Sequence, residues 1–66
     1  MIHDTTSLLA SWESVTRRVE LRRVRGGYDV ITHYAGHMIS AEFEFSETRA
    51  RERFERLVDK LAREEN

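Results

Sequence analysis

Two histidines four residues apart are the first feature of the sequence that could bind a metal ion. His33 and His37 have the spacing that places two zinc ligands on one face of a helix. Ala35 and Gly36 lie between them, however, and this pair indicates a turn. On two strands joined by such a turn, the histidines would face opposite sides of the sheet. The sequence therefore predicts no metal site, with His33 at the surface and His37 at the edge of the core.

Two glutamates come closest to an acid–base pair. Glu42 and Glu44 would share one face of a strand about 7 Å apart, a separation that glycosidase carboxylates can have. Alternating glutamates are also common on the solvent face of a strand, and a sheet this small seldom encloses a cleft that excludes water. The chain has no cysteine, no G-x-S-x-G, no glycine-rich phosphate loop and no H-E-x-x-H. We therefore expect a protein that is not an enzyme, with no catalytic residues and no cofactor.

Arginines are concentrated in one segment of the chain. Residues 15–27 carry five arginines against Glu20, a net charge of +4, in a chain whose formal net charge is −1. A domain adapted to DNA usually has a clear basic excess, because phosphate neutralisation supplies most non-specific affinity. Arginine beside exposed apolar side chains is instead typical of a protein interface. Arginines on an edge strand can also act only to prevent edge-to-edge aggregation, and this structural alternative stays open.

The length of the chain bounds the fold that must position these residues. Its 66 residues form one expected domain, 1–66, and a chain this short buries only about 60% of the surface that it exposes when unfolded. Disulfides cannot help, because there is no cysteine, and three histidines are too few for a closed zinc site. Self-association or a protein partner is the remaining source of stability, and a symmetric homodimer is the commonest solution.

The sequence gives no sign of a membrane segment. It has no run of 18 apolar residues, and residues 1–14 contain no lysine or arginine of the kind that opens a signal peptide. We therefore expect a soluble, cytoplasmic protein that does not bind a membrane.

The last third of the chain has the pattern of an amphipathic helix. Ser46 is a good N-cap and Glu47 places negative charge in the first turn, which predicts a helix over 46–64. The apolar stripe of this helix recurs at spacings of three and four: Ala50, Phe54, Leu57, Val58 and Leu61. One face of the helix is therefore expected to pack on the rest of the domain.

Residues 15–45 have the two-residue period of strands. Three runs, 15–25, 28–34 and 37–45, are separated by Gly26-Gly27 and by Ala35-Gly36, which predicts a three-stranded meander with two-residue turns. This register puts one set of side chains on the core face: Val19, Leu21, Tyr28, Val30, Thr32, Tyr34, His37, Ile39, Ala41, Phe43 and Phe45.

The same register defines the opposite face of the predicted sheet. It pairs Arg25 with Tyr28, which places Arg22 opposite Ile31 and Glu20 opposite His33. Glu42 and Glu44 would also lie on this face.

The first fourteen residues are harder to assign. The apolar spacing of Leu8, Leu9, Trp12 and Val15 favours a short helix, and a flexible arm is the alternative for 1–14. The expected fold class is α+β: a three-stranded antiparallel meander over 15–45 with the helix 46–64 packed on one face, and a short helix possible before it.

Two nucleic-acid-binding families share parts of this pattern. The stretch from Tyr28 to Phe54, with a glycine turn and Phe45-Ser46 leading into the helix, resembles the three-strands-plus-helix DNA-binding domains of the AP2 and phage-integrase arm-binding type. The resemblance implies that strand residues enter the major groove, which would make Arg18, Arg22 and Arg25 the nucleic-acid contacts. The αβββα order is also similar to double-stranded-RNA-binding domains, although Glu47 stands in the helix turn where those domains have a lysine cluster.

The favoured hypothesis is a small non-catalytic module that binds a protein partner, in a regulatory, inhibitory or adaptor role. Its partner would contact the outer sheet face and the arginine-rich first strand. The candidate partner-binding residues are Arg18, Arg22, Ile31, His33 and Met38. The alternative is a small nucleic-acid-binding domain that uses the same arginines.

Overall fold

The computed structural model describes residues 7–65, which form one antiparallel sheet and one helix. The strands lie in the sheet in chain order: β1 (Ser7–Glu13), β2 (Arg17–Val24), β3 (Gly27–Tyr34) and β4 (His37–Glu44). The helix α1 (Glu47–Glu64) follows β4 and packs on one face of the sheet, mainly over β2 and β3. The α+β class and the C-terminal helix are confirmed, whereas the sheet has four strands rather than three.

The helix begins at its predicted cap. The Ser46 hydroxyl accepts a hydrogen bond from the backbone N–H of Arg49 at 3.3 Å. One turn further on, the Arg51 side chain lies 2.9 Å from Glu47, which is the favourable acid-first order of an i, i+4 pair. Local sequence signals therefore suffice to position this element.

The turn between β3 and β4 is the predicted one. Ala35 and Gly36 both have positive φ, 53° and 85°, as a type I′ hairpin turn requires. Tyr34 pairs with His37 across the turn. Glycine adopts this conformation without strain, whereas an alanine adopts it at a cost.

The turn between β2 and β3 lies one residue earlier than predicted. Arg25 and Gly26 occupy it, and Gly26 has a φ of 86°. The pairs of β2 with β3 therefore differ from the predicted register by two positions: Arg18 with His33, Glu20 with Ile31 and Arg22 with Asp29. Because the shift is an even number, no side chain of these strands changes face.

Residues 7–13 form a strand, and the predicted helix there is wrong. Leu9 is the extra residue of a β-bulge, since the register with β2 shifts between Leu8 and Ala10. The bulge allows Leu9, Ala10 and Trp12 all to pack against the core. Adjacent apolar residues on one face mimic helical spacing, which explains the error. The first six residues of the segment lie outside the described part of the chain.

A second bulge inverts the end of β4 relative to the prediction. Thr32 pairs with Ser40, but His33 pairs with Met38, so Ile39 is the extra residue. Beyond it the alternation is shifted by one position. The predicted placement of the β4 apolar residues on the core face is therefore wrong, because Ala41 pairs with Ile31 and Phe43 pairs with Asp29 on the face opposite α1.

The same inversion places the β4 glutamates on the helix side. Both Glu42 and Glu44 form ion pairs with Arg53 of α1, and Glu44 lies 2.5 Å from the arginine Nη2. The sequence placed these carboxylates on the outer face, which is also wrong. The helix α1 lies mainly over β2 and β3, so β4 lies at its side. The carboxylates of Glu42 and Glu44 therefore contact Arg53 and also remain partly exposed to solvent.

The core is small. Among residues 7–65 it consists of five buried apolar residues, contributed by β2, β3 and α1: Val19, Leu21, Val30, Ala50 and Leu61. Thr32 is the buried polar residue beside them, and Phe54 is half-buried against the cluster. The core face of β2 and β3 is thus as predicted, while Tyr34 and His37 on the same side are exposed at the sheet end.

Polar contacts hold the C-terminal end of α1 to the sheet. Arg17 lies 2.8 Å from Glu64, and its guanidinium lies 5.8 Å from the centre of the Tyr34 ring. The hydrogen bond to Glu64 raises the pKa of Arg17, and the same contact lowers the pKa of Glu64. Ser14, in the loop between β1 and β2, donates a hydrogen bond to Glu65 at 2.9 Å. Ion pairs therefore attach the helix to the sheet at its C-terminal end and, through Arg53, in its first half.

Candidate interaction surface

The sheet face opposite α1, called the outer face below, is not covered by any part of residues 7–65. Val19 and Leu21 of β2 are buried under the helix, so the alternate residues of that strand point the other way. All five residues predicted to bind a partner lie on the outer face through the observed pairing: Arg18, Arg22, Ile31, His33 and Met38. The even register shift of β2 against β3 explains why this placement survives the error in the turn.

Glu20 lies at the centre of a charged cluster on the β1–β2 half of the outer face. Its side chain exposes only 8% of its surface. One carboxylate oxygen lies 2.6 Å from the Nε of Arg18, and the other lies 2.9 Å from the Nε of Arg22. Arg18 also lies 3.4 Å from Glu13 on β1. These residues, Glu13, Arg18, Glu20 and Arg22, are called the Glu20 cluster below.

The cluster stabilises the ionised form of its central carboxylate. The hydrogen bond from Arg22 lowers the pKa of Glu20 to about 2, with Arg18 adding to the effect and desolvation opposing it. The reciprocal hydrogen bond to Glu20 raises the pKa of Arg18. Glu20 is therefore ionised over the whole physiological range of pH, with both arginines in hydrogen-bond contact with it.

Arg22 has hydrogen-bond donors that no acceptor within residues 7–65 uses. Its Nε donates to Glu20, while its terminal nitrogens donate to no acceptor within residues 7–65. A guanidinium has five N–H donors in a planar fork that matches a carboxylate. Glu20 therefore orients Arg22 and leaves the outer part of its fork open.

His33 borders the same cluster. Its Nε2 is buried, lies 3.7 Å from a Glu20 oxygen, and has no hydrogen-bond partner among the described residues. That distance is too long for a hydrogen bond. His37 faces the other side of the sheet, as predicted, because it pairs with Tyr34. Within residues 7–65 no group of three or more His, Cys, Asp or Glu side chains could hold a metal ion.

The β3–β4 half of the outer face exposes large apolar side chains beside Asp29 and His33. Four large side chains along β4 and just beyond it are exposed and are called the β4 strip below: Met38 (62%), Ile39 (63%), Phe43 (44%) and Phe45 (83%). Ile31 of β3 is half-buried between this strip and Glu20. Sequence reasoning assigned Ile39, Phe43 and Phe45 to the core, so it missed most of this surface.

Two contacts fix the phenylalanines of the β4 strip. The ring of Phe43 lies over Gly27, where a Cβ atom would come within 2.5 Å of the Phe43 Cζ. The rings of Phe43 and Phe45 meet edge to face, with centroids 4.9 Å apart and an angle of 88°. Glycine at the first position of β3 therefore allows the aromatic ring to lie flat against the sheet.

Arg25 lies apart from the other predicted nucleic-acid contacts. It occupies the β2–β3 turn and is exposed. Arg18 and Arg22, by contrast, are engaged with Glu20 on the strand. The structure thus brings two of the three predicted contacts together and leaves the third in a turn at one end of the sheet.

A groove of about 650 Å³ lies on the helix side, between α1 and β4. Leu57 contributes apolar surface to it, and its acidic residues are each paired with an arginine: Glu42 with Arg53, Asp59 with Arg63 and Glu64 with Arg17. The hydrogen bond from Arg17 lowers the pKa of Glu64, which favours its ionised form.

One sequence signal could have revealed the Glu20 cluster. The pattern Arg18-x-Glu20-x-Arg22 on a strand puts an acid between two bases on one face, at the spacing that allows it to bind both. No comparable signal exists for the inversion of β4. Comparison with known proteins adds nothing to this picture, since no family model, curated protein or solved structure matches the chain. Within residues 7–65, no helix is long and apolar enough to cross a membrane.

Proposed function

We propose that this protein is a non-catalytic interaction module whose outer face binds a protein partner, in a regulatory, inhibitory or adaptor role. The observation that carries the proposal is the position of Arg22, which is oriented by Glu20 and lies one strand away from Ile31. Its terminal nitrogens have no acceptor among residues 7–65. An ordered arginine beside apolar surface is the composition of a binding hot spot.

The fixed geometry of the Glu20 cluster favours binding. An arginine that is mobile in the free protein loses about 0.5–1.5 kcal/mol of side-chain entropy when a partner immobilises it. The contacts of Arg22 and Arg18 with Glu20, at 2.9 and 2.6 Å, remove much of that cost before the partner arrives. The complementary group on the partner is a carbonyl oxygen, next to an apolar side chain that covers Ile31.

The charges around the arginines support a protein partner over a nucleic acid. Glu13, Glu20 and Asp29 share the outer face with Arg18 and Arg22, so this face carries more formal negative charge than positive. A phosphate backbone near these carboxylates would be repelled, and non-specific nucleic-acid affinity depends on phosphate neutralisation. The nucleic-acid alternative therefore rests mainly on Arg25 and is tested beside the proposal.

The test is capture from cells that naturally make the protein, with quantitative mass spectrometry. Wild-type protein is compared with Arg22→Ala and Ile31→Glu on the outer face and with Arg56→Ala on the exposed side of α1. We expect one set of captured proteins to be lost with both outer-face variants and kept with Arg56→Ala, while far-UV circular dichroism stays native for all of them. Capture that is equal for all four proteins would contradict the proposal.

A titration with random duplex DNA distinguishes nucleic-acid binding from the proposed binding of a protein partner. A protein that contacts phosphates loses affinity steeply as the salt concentration rises, because counterions are released on binding. We expect no measurable binding even at low salt. Strong, salt-sensitive binding that is weakened by Arg25→Ala would favour the nucleic-acid function instead.

A further inference from the structure

The outer face has two halves of different chemistry. The β1–β2 half contains the Glu20 cluster, and the β3–β4 half contains the β4 strip. A single partner that covered the whole face would need charged groups opposite the first half and apolar groups opposite the second. We propose that the β4 strip is the surface on which a second copy of this chain packs, while the Glu20 cluster remains open for the protein partner.

The area of the β4 strip suits a dimer. A standard interface removes about 800 Å² from each partner. The four side chains of the strip, which are 44–83% exposed, supply on the order of 500 Å² of apolar surface, and the rim around them supplies the rest. Strips of this kind on two copies match each other, because each consists of one methionine, one isoleucine and two aromatic rings.

The positions of the β4 carboxylates also favour packing of a second copy on the outer face. The bulge at Ile39 turns Glu42 and Glu44 to the helix side, where Arg53 pairs with both. Without the bulge, these two carboxylates would lie on the outer face and Phe43 would lie on the helix side. The four side chains of the strip therefore carry no charge, with Asp29 of β3 beside Phe43 as the neighbouring carboxylate. The helix α1 lies on the opposite face and does not obstruct the strip.

The small core explains why the occupant is a second copy. Five buried apolar residues stabilise the described fold, the chain has no cysteine, and a domain of this size usually needs additional burial. A second copy is always present when the protein is present, whereas another partner is not. Two β4 strips packed about 10 Å apart would leave one helix on each outside and the β1–β2 halves of both sheets uncovered.

The test measures mass by light scattering and sedimentation over a wide concentration range. We expect wild-type protein to be a dimer that dissociates on dilution. Met38→Glu and Phe43→Glu should each weaken the dimer about tenfold or more, because a carboxylate would be buried without a partner. Met38 is the safer variant, since it is largely exposed and makes no ring contact with Gly27.

The inference rests on the proposed function, because both assign the outer face to binding. The variant Arg22→Ala tests the two separately. We expect Arg22→Ala to lose the captured partner and to remain dimeric. A dimer without Arg22-dependent capture would overturn the proposed function alone. Wild-type protein that is monomeric at every concentration, a Met38→Glu variant that is as dimeric as wild type, or a monomeric Arg22→Ala variant would each overturn the assignment of the strip.

Discussion

At the scale of single residues, Glu20 shows how a buried charge can be tolerated on an uncovered sheet face. The carboxylate is removed from water by its neighbours rather than by a second layer, and two arginines replace the lost hydration. Removal of either arginine would leave the carboxylate short of hydrogen bonds. This requirement is a structural reason for the arginines, in addition to any role in binding.

The pKa of Glu20 makes the stability of the protein depend on acid pH. The folded pKa of about 2 lies below the ordinary value of 4.5, so the stabilisation is complete above pH 4.5 and is lost as the pH falls towards 2. Its size at neutral pH is on the order of 3 kcal/mol. We predict that Glu20→Gln is less stable than wild type at pH 7 and that the difference shrinks between pH 4.5 and 2.

Urea denaturation at several pH values measures this effect. Glu52→Gln, on the exposed surface of α1, is the control for the loss of one carboxylate and should follow the wild-type curve. A constant difference in unfolding free energy between wild type and Glu20→Gln across pH 2–4.5 would contradict the assigned role of Glu20.

The residues of the candidate site were predictable to different degrees. Arg18, Arg22, Ile31 and His33 were placed on the correct face because strand alternation depends only on parity, which an error of two positions does not change. The central position of Glu20 depends on the contacts of its carboxylate with Arg18 and Arg22, which strand alternation alone does not predict. Phe43 was misplaced because its orientation depends on Ile39, four residues earlier.

At the scale of elements, the helix was predictable and the edge strands were not. Capping and apolar spacing define α1 locally, so its ends agree with the sequence to within one residue. The two edge strands each contain a bulge, and a bulge adds one residue to the alternation without a sequence signature of its own. In β1 the bulge gave the apolar residues a spacing typical of a helix. In β4 the bulge exchanged the side chains between the two faces of the sheet relative to the prediction.

The β3–β4 turn allows the protein to be stabilised. Ala35 has a φ of 53°, a conformation that is unfavourable for alanine, while asparagine accepts it and is common at this position of a type I′ turn. We predict that Ala35→Asn raises the unfolding free energy by about 1 kcal/mol. Thermal denaturation checks this.

A matched control for this change is Thr48→Asn, at an exposed position in the first turn of α1. It introduces the same side chain without relieving a positive φ and should not stabilise the protein. A lower melting temperature for Ala35→Asn than for wild type would show that the turn does not limit stability.

At the scale of the whole molecule, the small core makes the fold sensitive to single changes. Phe54 is half-buried against the central cluster, and removal of a packed phenylalanine costs about 3 kcal/mol or more, which is comparable to the stability of a domain this small. We predict that Phe54→Ala unfolds most of the protein at 25 °C, as measured by far-UV circular dichroism. Arg56→Ala, on the same helix, should melt like wild type, and a native melting curve for Phe54→Ala would contradict the prediction.

The two bulges also decide how large an assembly can grow. A regular edge strand accepts another strand, which exposes a new edge, and the process repeats without limit. Here both edges of the described sheet, β1 and β4, are bulged, so neither offers an uninterrupted ladder to a neighbour. When two copies pack through the same face, by contrast, the dimer leaves no second copy of that face free to bind a further chain. Concentrated solutions of this protein should therefore contain particles of fixed size rather than fibres.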